Sequence, residues 1–361
     1  MELAYKTLVI RRGIGEVPPE QLRRFIEVQE AFRRWVAEWY RSNFEAPAPE
    51  PLRQFAEKLK STLTIMPRNV EKMPLPLDVR LAGEEAERNG IGRGRAGEEV
   101  LIDLLKGEVE VGGWGGAITV KLKESEKRWI ERRVKEGGRP VLARAWVGGA
   151  REATFNIALV FMKEAEPIEV RRILAAYLDE DGVQIAAAEG GRLLWRSALR
   201  PDLAKIGRLR KEISRLDSLC VERGGRYCKQ LAAARSRLRR LLRHFEDEAA
   251  RKIARLALQY KAAVLVDAQR RENAEKIVDV GRLAERIRQA AEWHGVPYRK
   301  ARLSAICPRC EAKMEELPGR RARCPSCGLE APRSEVLAMW ATKLSTQPSF
   351  FDSNVRPSNV E

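Results

Sequence analysis

The first part of the chain changes its hydrophobic period several times. "AYKTLVI" predicts an opening strand, and residues 19–44 then repeat apolar side chains at the three- and four-residue spacing of a helix, at Leu22, Phe25, Ile26, Phe32 and Val36. The prolines of "EAPAPEP" end that helix, because each lacks an N–H and constrains the residue before it. A second helix is predicted from about 52 to 63, before an irregular stretch that contains Pro and Gly.

Between about 99 and 165 the pattern becomes that of strands. "EVEV" and "AITVKL" flank a Gly-rich turn, and "RPVLARAWVGGAREATFNIALVFMKE" predicts a hairpin that turns at Gly148 and Gly149. We therefore expect residues 1–167 to form a β-barrel that a helical insert, at about 19–80, interrupts.

A second region begins near residue 168. "RRILAAYLDEDGVQIAAAEGGRLLWRSAL" predicts three short strands with turns at "EDG" and "EGG", and two long helices follow at about 202–219 and 229–259. "AAVLVDAQ" is a short apolar run that ends in Asp267, which is typical of a central strand buried on both faces. "GRLAERIRQAAEWHG" predicts a further helix and "VPYRKARL" a further strand. The polar residues 345–361 predict a disordered tail.

The charge of the chain indicates its class of partner. Its 361 residues include 68 Lys and Arg against 51 Asp and Glu, a formal net charge of +17. Such an excess favours a polyanion, above all nucleic acid. A charged fraction of 33% also suits the surface of a thermophile protein, although that interpretation does not explain the excess of one sign.

The apolar runs give no indication of a membrane. The N-terminus lacks the pattern of a secretory signal, and no apolar run reaches the roughly 20 residues that cross a bilayer. We therefore expect a cytoplasmic protein with no membrane partner. Reducing conditions there favour paired cysteines as metal ligands over disulfides.

Four cysteines have the spacing of a metal site. Cys307, Cys310, Cys324 and Cys327 form two C-x2-C pairs separated by 13 residues. Two such pairs place four thiolates around one tetrahedral ion and leave no position open for a substrate. The motif therefore predicts a structural Zn²⁺ ion.

The stretch 205–243 predicts a basic helical hairpin. It contains thirteen Lys or Arg and three acids, a net charge of +10. Such a hairpin can follow a phosphate backbone, and the candidate contacts are Arg208, Lys211, Arg215, Arg235, Arg239 and Arg243. A solvated helix face is the alternative interpretation. Cys220 and Cys228 lie near the tip, and we expect two ordinary thiols there, with a disulfide as the alternative.

Acidic residues end two of the predicted strands. Asp179, Glu180 and Asp181 follow the first strand of the second region, and Asp267 ends the buried run "VLVD". Carboxylates at the ends of adjacent central strands can hold divalent ions that activate a water against a phosphodiester. The alternatives are a hydrogen-bonded turn for "DEDG" and a solvent-exposed strand end for Asp267.

The order of these segments resembles that of the TnpB family, the transposon-associated OrfB proteins that are related to type V CRISPR effectors. Strands that end in acids, a basic hairpin, "LSAICPRC", "CPSCG" and a short helix follow in the same order over residues 168–344. "YKTLVIRR" and "FRRWVAEWY" resemble the family's opening strand and first helical insert more loosely.

The resemblance implies an α/β fold plus a β-barrel. A RuvC domain with an RNase H-like fold would comprise residues 168–306 and 331–344, with the hairpin at 202–259 and a zinc ribbon inserted at 307–330. Members of the family use a guide RNA to find DNA and cut it with three acids and Mg²⁺. By resemblance the protein would bind a guide-like RNA and DNA.

The resemblance also assigns the acids. The first falls on Asp179, with Glu180 or Asp181 as alternatives, and the second on Asp267, where the family usually has Glu. In "APRSEVLAMWA" an ungapped match puts Ser334 at the third position, whereas one inserted residue puts Glu335 there. We take Asp179, Asp267 and Glu335 as the expected Mg²⁺ ligands.

Three functions are compatible with this sequence. The first is a TnpB-like, RNA-guided DNA endonuclease. The second is a catalytically inactive descendant that binds RNA and DNA as a regulator or as part of a ribonucleoprotein. The third is a zinc-ribbon protein that binds an RNA or a ribosome without guided cleavage.

Overall fold

A computed structural model describes residues 2–49, 52–62, 73–82, 100–112, 116–148, 153–268 and 278–347. The chain divides into a first unit, Leu3–Glu164, and a second unit that begins at Ala165. Residues 348–361 of the predicted tail, Gly149 of the predicted turn and most of the irregular stretch after residue 62 lie outside the described residues.

The first unit contains eight strands and three helices in its described part. The helices are α1 (Pro19–Arg41), α2 (Arg53–Thr62) and α3 (Glu124–Lys135). The strands are β1 (Glu2–Gly13), β2 (Leu75–Leu77), β3 (Val79–Ala82), β4 (Val100–Asp103), β5 (Glu108–Val111), β6 (Ile118–Lys121), β7 (Arg139–Gly148) and β8 (Thr154–Ala165). Both predicted helices are confirmed, and α3 is a helix within a stretch for which strands were predicted.

The expected β-barrel is wrong for the described strands. They form two open sheets, with the orders β1-β8-β7-β2 and β3-β4-β5-β6, and neither closes on itself. The reason lies between β2 and β3, which only Asp78 separates but which belong to different sheets. Strands that could have extended one sheet toward closure are divided between two.

Helix α1 buries an aromatic face in the first unit. The Phe25 ring meets that of Phe155 on β8 edge-to-face, with centroids 5.1 Å apart, and Trp35 stacks on Trp39 at 5.5 Å. The buried side chain of Gln29 accepts a hydrogen bond from the backbone N–H of Val147 on β7, at 3.0 Å. These contacts attach the helix predicted from its period to a sheet of the same unit.

The second unit is built on one mixed sheet. Its strands are β9 (Arg172–Asp179), β10 (Gly182–Glu189), β11 (Arg192–Leu199), β12 (Ala262–Ala268) and β13 (Tyr298–Lys300). The sheet order is β11-β10-β9-β12-β13, in which β9, β10 and β11 are antiparallel and β9, β12 and β13 are parallel. The predicted strands and turns of this region are thereby confirmed.

Helices cover this sheet and connect its strands. They are α4 (Leu203–Arg223), α5 (Gly225–Gln259), α6 (Val280–Trp293) and α7 (Arg333–Leu344). A small sheet of β14 (Glu315–Leu317), β15 (Arg321–Arg323) and β16 (Glu330–Pro332) lies between β13 and α7 in the chain. Among the described residues, no helix has both the length and the apolarity to cross a membrane.

The two faces of the five-stranded sheet have different cores. One face, with Leu174, Leu178 and Val264, packs against α5 and α6. The other face, with Ile173, Tyr177 and Leu265, packs against α7. Because side chains alternate along a strand, the acids that follow on β9 and β12 belong to this second face.

The basic hairpin consists of α4 and α5. The helices are longer than predicted and meet at Gly224 and Gly225, both with positive φ, at 58° and 53°. Cys220 and Cys228 form a disulfide across this tip, with Cα atoms 4.8 Å apart, so the expectation of two ordinary thiols is wrong. The helix ends extend to the glycines and bring the two cysteines opposite each other.

Candidate functional site

The four predicted zinc ligands come together in one cluster. Their sulfur atoms all lie within 4.8 Å of one another, with 3.5 Å between Cys307 and Cys327 and 3.4 Å between Cys310 and Cys324. Cys307 and Cys324 are buried, whereas Cys310 and Cys327 are exposed. Sulfurs at 2.3 Å from a tetrahedral ion are about 3.8 Å apart, so the cluster fits zinc.

Two equivalent turns hold these thiols. In the first, the N–H of Glu311 donates to the carbonyl of Cys307 at 2.9 Å, and in the second Gly328 donates to the carbonyl of Cys324 at 3.0 Å. Glu311 and Gly328 both have left-handed backbones, with φ of 61° and 71°. The repeated geometry orients both cysteine pairs toward one point.

The chemistry of this cluster is structural. Four thiolates complete a tetrahedral coordination sphere, so a zinc ion held here has no open position for substrate. Its bonds would attach the turn of Cys307 and Cys310 to the turn of Cys324 and Cys327. The cluster is consistent with a structural zinc ion and supplies no catalytic group.

Asp179 and Asp267 lie on adjacent parallel strands. In the register of β9 and β12, Asp267 pairs with Tyr177, and Asp179 is two residues further along β9. All three side chains belong to the face that α7 covers, by the alternation described above. Asp267 is fully buried, and its Oδ2 accepts a hydrogen bond from the backbone N–H of Ser304 at 2.6 Å.

An arginine from the small sheet contacts two of the acids. Arg320, in the turn between β14 and β15, donates from Nη1 to Asp179 Oδ2 at 2.8 Å and from Nη2 to Asp181 Oδ2. Asp179 Oδ1 also accepts from the backbone N–H of Asp181 at 2.8 Å. The two carboxylates therefore share one guanidinium.

Burial determines the proton affinities around this contact. Loss of solvent raises the pKa of Asp179 above its usual value, and this effect outweighs the opposing charge of Arg320. Burial also raises the pKa of Tyr177 to about 12. Arg333 and Arg320 act on that phenol in the opposite direction, whereas Asp179 and Asp267 add to the rise.

Glu335 lies in the first turn of α7, and its partner is on another strand. Its Oε1 is 3.1 Å from Nη1 of Arg196 on β11, and the side chain is 41% exposed. Strand β11 is at one edge of the sheet, with β10 and β9 between it and β12. The partner of Glu335 is therefore on the edge strand β11, three strands away from β12, which carries Asp267.

These acids do not form a metal-binding group in the part of the chain that the structure describes. There, the four cysteines are the one group of three or more potential ligands whose donor atoms lie close enough to hold an ion. One oxygen of Asp179 and one of Asp181 are bound to Arg320, so this arrangement does not support an Mg²⁺ site. The assignment of Asp179, Asp267 and Glu335 as Mg²⁺ ligands stays a prediction.

The predicted nucleic-acid contacts are all exposed on the hairpin, at Arg208, Lys211, Arg215, Arg235, Arg239 and Arg243. Arg235 is bonded across the hairpin to Asp217 at 2.8 Å, and the neighbouring Arg237 is bonded to Glu212 at 2.6 Å. The helices thus use some of their cations to hold each other. The remaining surface is accessible to a polyanion.

Sequence reasoning missed Arg320. It identified the acids and the four-cysteine motif separately and did not connect Arg320 with Asp181, which is 139 positions earlier in the chain. A usable signal is the left-handed turn "PGRRAR" inside the ribbon, where Gly319 and Arg320 have φ of 73° and 64°.

Comparison with known proteins supports the fold. No protein-family model and no curated protein matches this sequence. The chain is similar in structure to Cas12f1 in a Cas12f1–sgRNA–target DNA complex, at 11% identity and a TM-score of 0.55, over 90% of this chain and 82% of that chain. A mini-RNA-guided endonuclease, CRISPR-Cas_phi3, aligns at 9% identity over 79% and 67% of the two chains, with a TM-score of 0.31.

The likeness to Cas12f1 defines the class of fold. The protein is a mixed α/β protein with a fold like that of the Cas12 effectors, the type V class, and with a four-cysteine cluster. At 11% identity the likeness concerns the fold alone.

Proposed function

We propose that this protein binds a guide-like RNA and DNA, as a relative of the TnpB proteins and type V effectors. The Cas12f1 chain that it resembles is in a complex with sgRNA and target DNA, and the likeness extends over most of both chains. The net charge of +17 and the exposed cations of the α4–α5 hairpin support a nucleic-acid partner. Base pairing would supply sequence choice, while the protein contacts the backbone.

Of the two forms of this function, we propose the one that binds without cutting. The observation that carries this choice is the Arg320 guanidinium on Asp179 and Asp181. Two-metal cleavage needs carboxylate oxygens free to bind cations, and an arginine fork uses the same lone pairs. Glu335 adds support, because its carboxylate faces Arg196.

An RNA-guided DNA endonuclease is the second candidate. One observation favours it, namely that Asp179 and Asp267 lie near the carboxyl ends of adjacent parallel strands and on one face. In that form Asp179, Asp267 and Glu335 would bind Mg²⁺ after Arg320 has moved.

One experiment separates the two forms. The protein is purified with its bound RNA, that RNA is sequenced, and the complex is incubated with matching DNA and Mg²⁺. Wild type is compared with Arg320→Ala and Asp179→Asn. Arg321→Ala is the matched control, since Arg321 is the next residue, at the start of β15, and pairs with Glu330 at 3.0 Å.

The binding form predicts a defined RNA, guide-dependent binding of matched DNA, and no Mg²⁺-dependent cuts by wild type. Cuts by wild type that disappear in Asp179→Asn would establish the endonuclease instead. Cuts by Arg320→Ala alone would identify a nuclease that Arg320 blocks. Absence of both bound RNA and salt-sensitive nucleic-acid binding would contradict the proposed function altogether.

A further inference from the structure

A cleft of about 630 Å³ lies between the end of β11 and the C-terminal half of α5. Leu199, Phe245 and Leu256 line it as partly buried apolar side chains that pack on the sheet core. Phe245 contributes an aromatic ring to this lining. The volume is within the range of small-molecule clefts and is far too small to enclose a duplex.

The rim of this cleft is basic. Arg200, Arg251, Lys252 and Arg255 line it, and all four are exposed. Within the described ranges, Arg200, Lys252 and Arg255 have no acidic partner. Glu248 is the one acid of the lining, so four cations there face a single carboxylate. The rim therefore carries an excess of positive charge that the protein itself does not neutralise.

An apolar floor inside a basic rim fits unstacked nucleotides. In a duplex the base faces are covered by neighbouring pairs, and an apolar cleft gains nothing from them. In a single strand a base can lie against an aromatic ring while its phosphates approach nearby cations. An acidic peptide would satisfy the rim but has no flat face for the floor.

We infer that this cleft binds one or two consecutive nucleotides of a single-stranded nucleic acid. The inference rests on the proposed function, which it deepens by naming a strand-binding site. The site is distinct from the predicted hairpin contacts, because none of its four cations is among the six residues assigned there. The cleft lies beside β11, the edge strand of the five-stranded sheet, on the side of the sheet that α5 covers.

The test uses the full chain, with bound RNA removed at high salt, and a triple variant, Arg200→Gln, Lys252→Gln and Arg255→Gln. A control variant, Arg171→Gln, Lys300→Gln and Arg321→Gln, removes three exposed cations of the same unit outside the cleft. Binding of a fluorescent single strand of about 15 nucleotides, and of its duplex, is measured by anisotropy over a series of salt concentrations.

The cleft variant should bind the single strand roughly tenfold more weakly, and its salt slope should shrink by about 2, because three phosphate contacts at about 0.7 each are lost. The control variant should lose under about threefold, and duplex binding should change little in either variant. Equal losses in the two variants, or a loss confined to the duplex, would overturn the inference.

Mononucleotides provide a further check. Nucleoside monophosphates are added as competitors of the labelled single strand. If they bind the cleft as tightly as the strand does, compared at equal nucleotide concentration, the site is for a small nucleotide and the inference is wrong. Wild type that binds no nucleic acid would instead contradict the proposed function itself. Wild type that binds normally while the cleft variant is unchanged would contradict the cleft alone.

Discussion

The second unit gathers acidic side chains in two ways. The sulfur atoms of the four ribbon cysteines all lie within 4.8 Å of one another, which is the arrangement of a metal site. Two carboxylates elsewhere in the second unit are instead paired with arginines. Arg320 contacts Asp179, and Arg282 donates to both oxygens of the fully buried Glu246 at 2.6 and 2.7 Å. The four thiolates would need a bound metal ion to neutralise their charge, whereas these two carboxylates are paired with arginines of the protein.

The difference indicates that the ribbon and the five-stranded sheet are stabilised in different ways. The ribbon of three short strands has a small apolar cluster, in which Met314 and Leu329 pack with Trp340 of α7, and metal bonds would add to this small core. The five-stranded sheet has apolar cores on both faces, and the fully buried carboxylates of Glu246 and Asp267 accept hydrogen bonds from Arg282 and from the N–H of Ser304.

Removal of the metal should have the largest effect. Chelation, or Cys324→Ser, should release about one zinc ion per chain and destabilise the ribbon by several kcal/mol, since metal binding supplies most of its folding free energy. Elemental analysis and thermal unfolding measure both quantities. Ser326→Ala, in the same turn but without a ligand, is the control. Full thermal stability without zinc would show that the thiols need no ion.

Loss of an arginine from a buried carboxylate should have the next largest effect. Arg282→Ala leaves Glu246 buried, with Arg286 at 3.8 Å as its remaining cation, and should cost about 3 kcal/mol of unfolding free energy. Arg288→Ala is the control, because its partners Glu285 and Glu292 are partly exposed. This substitution should cost at most about 1 kcal/mol of unfolding free energy. Urea denaturation compares them. Equal costs would remove burial as the deciding factor.

The two cysteine turns should respond oppositely to glycine exchange. Gly328→Ala forces a side chain onto a left-handed backbone and should destabilise the ribbon by about 1 kcal/mol, whereas Glu311→Gly removes that strain and should be neutral or stabilising. Glu311→Gly also loses an exposed ion pair with Lys343, which is worth little. Thermal unfolding of the zinc-loaded protein tests this. A destabilising Glu311→Gly would contradict the equivalence of the turns.

The smallest expected effect is a change in pH dependence. Because burial raises the pKa of Asp179 in the folded state, the folded protein binds more protons than the unfolded chain above about pH 3.8, and stability falls as pH rises through that window. Asp179→Asn removes this loss, so its stability relative to wild type should improve as pH rises.

Glu285→Gln is a control of opposite sign. The hydrogen bond from Arg288 lowers the pKa of Glu285 in the folded state. Glu285 therefore adds to the free energy of unfolding above its unfolded pKa, and this stabilisation is lost as pH falls. Chemical denaturation of the three proteins between about pH 3.5 and 7 measures the slopes. The same slope for wild type and Asp179→Asn would show that burial does not control this carboxyl.

Local pattern was sufficient to predict most elements of the second unit. The period of "RRILAAYLD" and the unbroken run "AAVLVDA" correspond to β9 and β12, and the cysteine spacing predicted the cluster. These features depend on neighbours in sequence. The helix α3 was missed because charged residues make up most of it, and its three large apolar residues, Trp129, Ile130 and Val134, give a weak helical period.

Features that depend on distant residues were not predictable in this way. The division of β2 and β3 between two sheets, and the contact of Arg320 with Asp179, are set by packing rather than by any local pattern. The disulfide followed from how far α4 and α5 extend, which a periodicity defines only to within a few residues.

The position of the ribbon in the chain has a consequence for the order of assembly. The polypeptide leaves the sheet at β13 and returns to it as α7 only after passing through all four cysteines. Strands β9, β12 and β13 all precede the ribbon in the chain, whereas α7, which covers one side of their sheet, follows it. An ion held by the four cysteines would therefore order the segment that leads into α7, and through it the side of the sheet that this helix covers.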